Sequence, residues 1–416
     1  MNRFLLAAGL TAGLLVAGCS AAEPTEPPAP GQTPPPGTTP PPGTTPPNPT
    51  PGPAPPPSLV ELRGVWLTNV DSNVMLSRAG IAEAMQFLAD HHFNVVYPVV
   101  LNNGKTTYPS ATMEAVTGVR IDPRYAGRDP LREIVEEATA RGIAVIPWFE
   151  FGFSSSYSQN GGPILAARPG WAERDRDGRL LTKNGFEWMN AFHPEVQQFV
   201  LDLVLEVART YDVAGVQGDD RLPAQPSEGG YSDFTKALYR AEHGGADPPR
   251  GYLDTAWLRW RADKLNAFAR RLYTEVKAVD PTLQVSWSPS IYPWGYQNYL
   301  QDWPRWAEGG YADQVHPQNY RYNLPAYKTT LATQRASVLG IPAAADSLVY
   351  PGVLMNVGSY TIPVDYLMGV VAHNREQGYR GEVFFFYEGL RKNGDALADT
   401  LRETFYSERA RPPFGL

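Results

Sequence analysis

The sequence predicts an α/β fold of the (β/α)8 or TIM-barrel type, with long insertions after the third and fourth strands. Three observations predict it. From Leu59 onward, apolar runs of strand length alternate with segments of 3.6-residue apolar period, and eight such pairs follow one another. The apolar runs lack a clean in–out alternation, as parallel strands covered on both faces should. No Gly-rich phosphate-binding fingerprint follows the first strand, which disfavours the rival doubly wound open sheet.

The elements are expected as follows. Arg63–Thr68 is strand one, ending at Asn69 and Asp71, and a helix over 77–90 follows with Ile81, Met85 and Leu88 on one face. Phe93–Leu101 is strand two, ending at Asn102 and Asn103. A helix over Pro130–Arg141 carries Leu131, Ile134, Val135 and Ala138 and is stopped by Gly142. Ile143–Phe149 is strand three and ends at Glu150. The insertion 151–194 is rich in Gly, Ser, Asn and aromatics, and a connection of that length is uncommon unless it serves function. A helix over 195–211 leads into strand four, Val213-Ala-Gly-Val-Gln-Gly218, which stops at two adjacent acids, Asp219 and Asp220, before Arg221 and Pro223 turn the chain. A second insertion, 222–254, precedes a long helix over 255–279. Strand five is Leu283–Ser288, a short helix covers 303–308, strand six is Ala312–Tyr320 and a helix covers 327–339. Ile341–Asp346 is strand seven, followed by a helix over 364–377. Gly381–Tyr387 is strand eight, reaching Glu388, and a helix over 395–405 closes the chain.

Ahead of the barrel, residues 1–18 read as an export signal. Arg3 supplies the positive start, and Phe4–Ala17 is an apolar run too short to span a membrane comfortably. The run ends in Val16-Ala-Gly-Cys19, which resembles the bacterial lipobox. Cys19 is the only cysteine, so no intramolecular disulfide is available. The resemblance implies cleavage before Cys19 and lipidation of its thiol, anchoring the exported protein to an envelope membrane. Ser20 after the cysteine favours the outer membrane in a Gram-negative host. Residues 19–58 are dominated by Pro, Thr and Gly and read as an unfolded, semi-rigid tether. At about 3.1 Å per residue it reaches on the order of 100 Å. Residues 59–416 form the folded domain, expected to act as a monomer.

Composition excludes several classes. A net charge of -7 leaves no basic face for nucleic acid. With the lone cysteine in the lipobox, cysteine catalysis is excluded, and there is no Gly-Lys-Ser/Thr phosphate loop or Gly-x-Ser-x-Gly elbow. Ten Trp and 22 Tyr exceed the needs of an ordinary core, and aromatics in excess often line sugar clefts.

Barrel closure gathers the strand ends at one rim, where chemistry resides in this fold. Those ends supply Asn69, Asp71, Asn102, Glu150, Asp219, Asp220, Ser288, Gln318, Tyr320, Asp346 and Glu388. The set holds carboxylates and amides without a histidine cluster, so no metal and no cofactor is expected. One carboxylic acid to protonate a leaving oxygen, and one carboxylate as nucleophile or base, is the requirement of glycoside hydrolysis. Each residue also has a plain structural explanation. Asp71 can cap a turn, Asp219 or Asp220 can pair with Arg221, and Trp148 and Trp287 can be barrel core rather than sugar platforms. His193 and His316 read as structural hydrogen-bonders. Glu388, directly after Phe384-Phe-Phe-Tyr387, needs a partner or a job.

Arg63-Gly-Val-Trp-Leu-Thr68, Pro147-Trp-Phe-Glu150, Gly215-Val-Gln-Gly-Asp-Asp220, His316-Pro-Gln-Asn-Tyr320 and Phe384-Phe-Phe-Tyr-Glu388 together resemble the glycosyl hydrolase-like 10 family. The resemblance spans about residues 60–405. It implies a TIM-barrel glycosidase acting on a cell-wall or extracellular polysaccharide, with peptidoglycan glycan strands favoured. It places the family's acid pair on Asp219 and Asp220 and its strand-eight acid on Glu388. This chain departs from many members at Gly218, at Arg221 and at Glu150, where aromatic or aliphatic, aromatic and Asn residues respectively are common. On these grounds Asp220 is expected as one catalytic partner and Glu388 or Glu150 as the other. Asn69, Asp71, Asn102, Trp148, Trp287, Gln318, Tyr320 and Asp346 are expected to bind substrate. The alternative is a wall-binding lipoprotein that has lost catalysis.

Overall fold

A computed structural model describes residues 59–338, 340 and 347–415. Cys19, the tether, the expected strand over Ile341–Asp346 and Asp346 itself lie outside the described residues.

Among the described residues, eight parallel strands close into a ring. They are β1 (Leu62–Leu67), β2 (Val95–Pro98), β3 (Ala144–Val145, resuming at Trp148–Phe149), β4 (Gly215–Gly218), β5 (Gln284–Trp287), β6 (Gln314–Val315), β7 (Gly352–Leu354) and β8 (Gly381–Phe385). The register runs Gly64↔Val95, Val96↔Val145, Gln217↔Trp148, Val216↔Val285, Trp287↔Val315, Gln318↔Gly352 and Val353↔Phe384, and Leu62↔Gly381 joins last strand to first. An outer ring of helices returns the chain: α1 (Arg78–Asp90), α2 (Pro130–Thr139), α3 (Pro194–Thr210), α4 (Thr255–Val279), α5 (Trp303–Glu308), α6 (Leu324–Ala336), α7 (Val364–Glu376) and α8 (Ala396–Glu403). Their starts are set locally. Ser77, Asp129, Asp254 and Asn323 accept backbone N–H groups at the first turns, and Pro130, Pro194 and Pro325 sit where no donor is needed. The Asn323 cap is why α6 begins three residues before the apolar period suggests.

The ring's seventh strand lies at Gly352–Leu354, in a stretch that the apolar pattern does not mark. Pro351 and Gly352 disguise it, since both residue types are poor strand formers. They are tolerated here because Pro351 only accepts, from Val383 N at 3.0 Å, while Gly352 N donates to Pro317 O at 3.0 Å. The ring's interior is packed and partly polar. Trp66 Nε1 donates to Gln217 Oε1 at 2.6 Å, Gln217 Nε2 to Ser286 Oγ at 2.8 Å, and Tyr97 Oη to Gln314 Oε1 at 2.9 Å. His316 belongs to this interior: it is fully buried against Tyr97 and the Tyr350 carbonyl, and burial pushes its pKa down to about 3.

The two ends of the ring treat acids differently. At the strand starts, Glu382 is fully buried and takes both Arg375 nitrogens, at 2.8 and 2.9 Å, together with Tyr406 Oη and Asn374 Nδ2. Burial raises its pKa, but Arg375 and these bonds more than offset that and hold it below the usual range. That end is a structural base.

At the opposite end the insertions are built elements. Ser154–Tyr157, Phe186–Trp188 and Thr182–Lys183 form a three-stranded antiparallel sheet, and Gly162–Ala167 and Asp233–Glu242 are helical. Within the first insertion Glu187 accepts the Gln159, Asn160 and Gly161 N–H groups, folding the loop around one carboxylate. Among the described residues, no helix is long and apolar enough to cross a membrane.

Candidate active site

Glu150 follows β3, and Asp219 and Asp220 follow β4. The register Gly218↔Phe149 places the two strand ends side by side. Gly218 is required there: a Cβ would lie 2.4 Å from Leu222 O and 2.5 Å from the Trp287 ring. Gly218 is thus the residue that lets the turn fold back over Trp287.

Arg221 joins the three acids. Its Nε donates to Glu150 O at 2.8 Å and its Nη2 to Asp219 Oδ2 at 2.8 Å, with Glu150 Oε1 at 3.5 Å. Nη1 lies 2.8 Å from Asp220 Oδ1. The guanidinium is covered by Phe186, 4.6 Å from the ring centroid, and Phe151, at 5.6 Å. Burial alone would lower the Arg221 pKa, but Asp220, Asp219 and Glu150 outweigh it and raise it above its ordinary value.

The acids then separate by environment. Asp219 is 1% exposed and collects donors: Asp220 N at 2.6 Å, Arg221 Nη2, Gln318 Nε2 at 3.1 Å and Ser288 Oγ at 3.4 Å. Burial and neighbouring Asp220 push its pKa well up, against the pull of Arg221 and Asp220 N. These partners enclose the Asp219 carboxyl. Glu150 accepts from Asn102 Nδ2, and burial raises its pKa above the usual carboxylate range despite Arg221 and Asn102. Asp220 is the most open of the three, its side chain 24% exposed.

Around them, Tyr320 stacks on Phe385 with centroids 5.4 Å apart, and burial followed by the Asp219 and Asp220 charges raises its pKa. Tyr299 has its pKa raised by burial and by Asp220, and its hydroxyl accepts from Asn184 Nδ2 at 3.1 Å. Lys183 lies over its ring at 4.7 Å and pairs with Glu228 at 2.9 Å. Trp294, 43% exposed, packs 5.5 Å from Tyr299 at the outer edge. Buried polar atoms at the rim that lack a hydrogen-bond partner among the described residues include Asn69 Oδ1 and Asp220 Oδ1, the latter meeting Arg221 Nη1 as an ion pair without a hydrogen bond. Unpaired buried groups at a site mark where a ligand or water is accommodated.

The structure therefore brings together Asn102, Glu150, Asp219, Asp220, Gln318 and Tyr320. It does not bring Glu388 or Asp71 among them. After β8 the chain enters a short helix, Tyr387–Leu390, which turns Glu388 toward the β1–α1 connection. There it lines a cavity of about 400 Å³ with Asp71, Asn73, Glu83 and Arg391, and none of the three clustered acids lines it. Trp287 is fully buried, its Nε1 donating to Tyr311 O at 2.8 Å, and Trp148 is 3% exposed between Trp66 and Phe385. Both are core, since their rings fill the barrel top beneath the rim. His193 caps α3 by accepting Glu195 N. The sequence reading missed Phe186, Tyr299 and Asn184, which reach the site through tertiary contacts that carry no local signal. Groups of three or more His, Cys, Asp or Glu able to hold a metal ion are absent among the described residues.

A profile of the glycosyl hydrolase-like 10 family matches residues 61–349. The glycosyl hydrolase DigH of Escherichia coli K12 is 27% identical over 307 residues, 62% of this chain and 65% of DigH. The glycosyl hydrolase YngK of Bacillus subtilis is 23% identical over 397 residues, 85% of this chain and 73% of YngK. Among solved structures, the PgaB (BpsB) glycoside hydrolase domain from Bordetella bronchiseptica superposes with a TM-score of 0.61 at 15% identity, covering 82% of this chain and 98% of that one. The alpha-L-fucosidase isoenzyme 2 from Paenibacillus thiaminolyticus gives 0.60 at 18% identity, covering 83% of this chain and 50% of that one. These structural likenesses establish the barrel fold.

Proposed function

The chain belongs to the glycosyl hydrolase-like 10 family, and from that membership we propose that its barrel mouth hydrolyses O-glycosidic bonds of a cell-wall or extracellular polysaccharide, peptidoglycan glycan strands being favoured. The observation that carries the reading is the gathering of Glu150 and Asp220, from adjacent strand ends, around one guanidinium. Glu150, buried and with a raised pKa, has the character of the proton donor to the leaving oxygen. Asp220, the open member, takes the role of nucleophile or base. Asn102, Gln318 and Tyr320 orient Glu150, Asp219 and the sugar hydroxyls. The likeness to the glycosyl hydrolases DigH and YngK, and to the PgaB glycoside hydrolase domain, supports the reaction class. A lipid on Cys19 and the tether over 19–58 would present the barrel to the wall from an envelope membrane, which fits a polymeric substrate.

Incubating the purified domain with sacculi tests the reading. New reducing ends are expected with the wild type and none with Asp220→Asn of unchanged thermal stability. Undiminished release by D220N would remove Asp220 from the pair. One observation favours a second reading, a polysaccharide-binding protein without turnover: Arg221 engages all three acids at once. A binder would co-sediment with sacculi and release nothing.

A further inference from the structure

We propose that Arg221 is the positioning residue of the acid pair, holding Glu150 and Asp220 in one mutual geometry and tying that geometry to the inserted sheet through Phe186. The inference rests on the glycosidase reading and deepens it. Arg221 engages Glu150 through both its backbone oxygen and its carboxylate, and reaches Asp219 and Asp220 through separate nitrogens. A planar fork with several fixed donors meets those demands, whereas a lysine ammonium is one point charge on a flexible stem. Phe186 covers one part of the fork from the strand Phe186–Trp188, and Tyr157 packs on Phe186 with centroids 5.1 Å apart. Phe153 N donates to Arg221 O at 3.0 Å, so backbone and side chain alike are fixed by the insertion. The insertion thereby becomes part of the catalytic architecture rather than a cover over it.

The titratable groups facing Arg221 are Glu150 after β3, Asp219 and Asp220 after β4, Tyr299 from the helix Trp294–Tyr299, and Tyr320 after β6. The Arg221 charge beside Glu150 favours the charged carboxylate and opposes the rise that burial causes, so removing it lets the Glu150 pKa climb further. The acid must be protonated to act, so the alkaline limb of the pH–rate profile moves to higher pH without Arg221.

The test compares wild type, Arg221→Met and Arg221→Lys on solubilised glycan, with a ¹³C-carboxyl NMR titration of Glu150 in the same proteins. For R221M, kcat should fall about 100-fold, KM should stay within about 3-fold, and the alkaline limb should rise by about one pH unit. R221K should restore the limb but leave kcat about 10-fold low, because charge returns without the fork. An alkaline limb and a Glu150 titration that do not move in R221M, or R221K with full wild-type kcat, would overturn the proposal. Should R221M fail to fold, R221K decides alone: a wild-type limb with lowered kcat supports it, wild-type kcat refutes it. If the wild type releases no reducing ends, the glycosidase reading fails. The NMR titration then still decides whether Arg221 sets the state of the Glu150 carboxyl.

Discussion

Glu150→Gln tests the proposed proton donor with little disturbance of packing. Glutamine keeps the volume of Glu150 and a carbonyl oxygen that can still accept from Asn102 Nδ2. Arg221 loses a partner 3.5 Å away but retains Asp219 Oδ2 and the Glu150-position backbone oxygen, both at 2.8 Å. The fold should therefore hold, with a melting temperature close to wild type. What disappears is a proton. Removing a positioned general acid costs roughly 10²- to 10⁴-fold in rate, or about 2.7–5.5 kcal/mol of barrier. Because burial raises the Glu150 pKa, its acid form persists to higher pH than an ordinary glutamate's, and wild-type activity should fall on the alkaline side as it ionises. In E150Q that alkaline limb should vanish. The deficit should also shrink on an aryl glycoside whose leaving group needs no proton, since only the protonation step is lost. Initial rates of reducing-end release from solubilised glycan, and of phenolate release from the aryl substrate, between pH 4 and pH 9 supply both readouts. E150Q turning over the glycan within about 3-fold of wild type would refute the assignment, and so would an alkaline limb that survives.

Other consequences are equally checkable. Gly218→Ala drives a methyl into Leu222 O and Trp287, and should cost about 1–3 kcal/mol in chemical denaturation together with a loss of activity; unaltered stability would show that the turn yields easily. His316 has a folded pKa of about 3 against 6.5 unfolded, so as pH falls from 6.5 toward 3 the unfolded chain takes a proton that the native one refuses. Stability should decline there by up to about 1.4 kcal/mol per pH unit from this residue, and His316→Gln should show a shallower acid-side decline in denaturation midpoints. Trp294→Ala should raise KM for long glycans roughly 3- to 10-fold with little change in kcat, because the exposed ring lies one aromatic outward of Tyr299 and away from the acids. An unchanged KM would exclude it from the substrate path.

The ring was readable because its strands and helices differ in period, and most strand positions are apolar enough to declare themselves. Thr255–Val279 combines an Asp254 cap with an apolar stripe, and its bounds follow from those two signals alone. β7 escapes the same reading because Pro351 and Gly352 replace apolar residues at its start, and only the ladder to β8 and Pro317 shows why they are accepted. The inserted sheet escapes for another reason. Ser154, Ser155 and Ser156 carry no apolar alternation, and their order comes from the partner strand and from Glu187, whose carboxylate accepts from Ser156 Oγ.

At the site the boundary of legibility is sharper. An acid directly after a parallel strand is a local feature, so Glu150, Asp219 and Asp220 could be nominated one by one. What sequence does not contain is which of them share a neighbour. Glu388 also follows a strand, yet one helical turn carries it into a different cavity with Asp71. Strand-end position is thus necessary but insufficient for convergence. The deciding feature is the partner that several strand ends hold in common. Arg221, two residues after Asp219, looks in sequence like the neutraliser of a single adjacent acid. In three dimensions it spans two strand ends and a hairpin 35 residues upstream, from Arg221 to Phe186. A change at Arg221 would therefore alter the electrostatics of Glu150, Asp219 and Asp220 together. Substrate preference in this chain should accordingly follow Arg221 and its aromatic cover more closely than it follows the acids themselves.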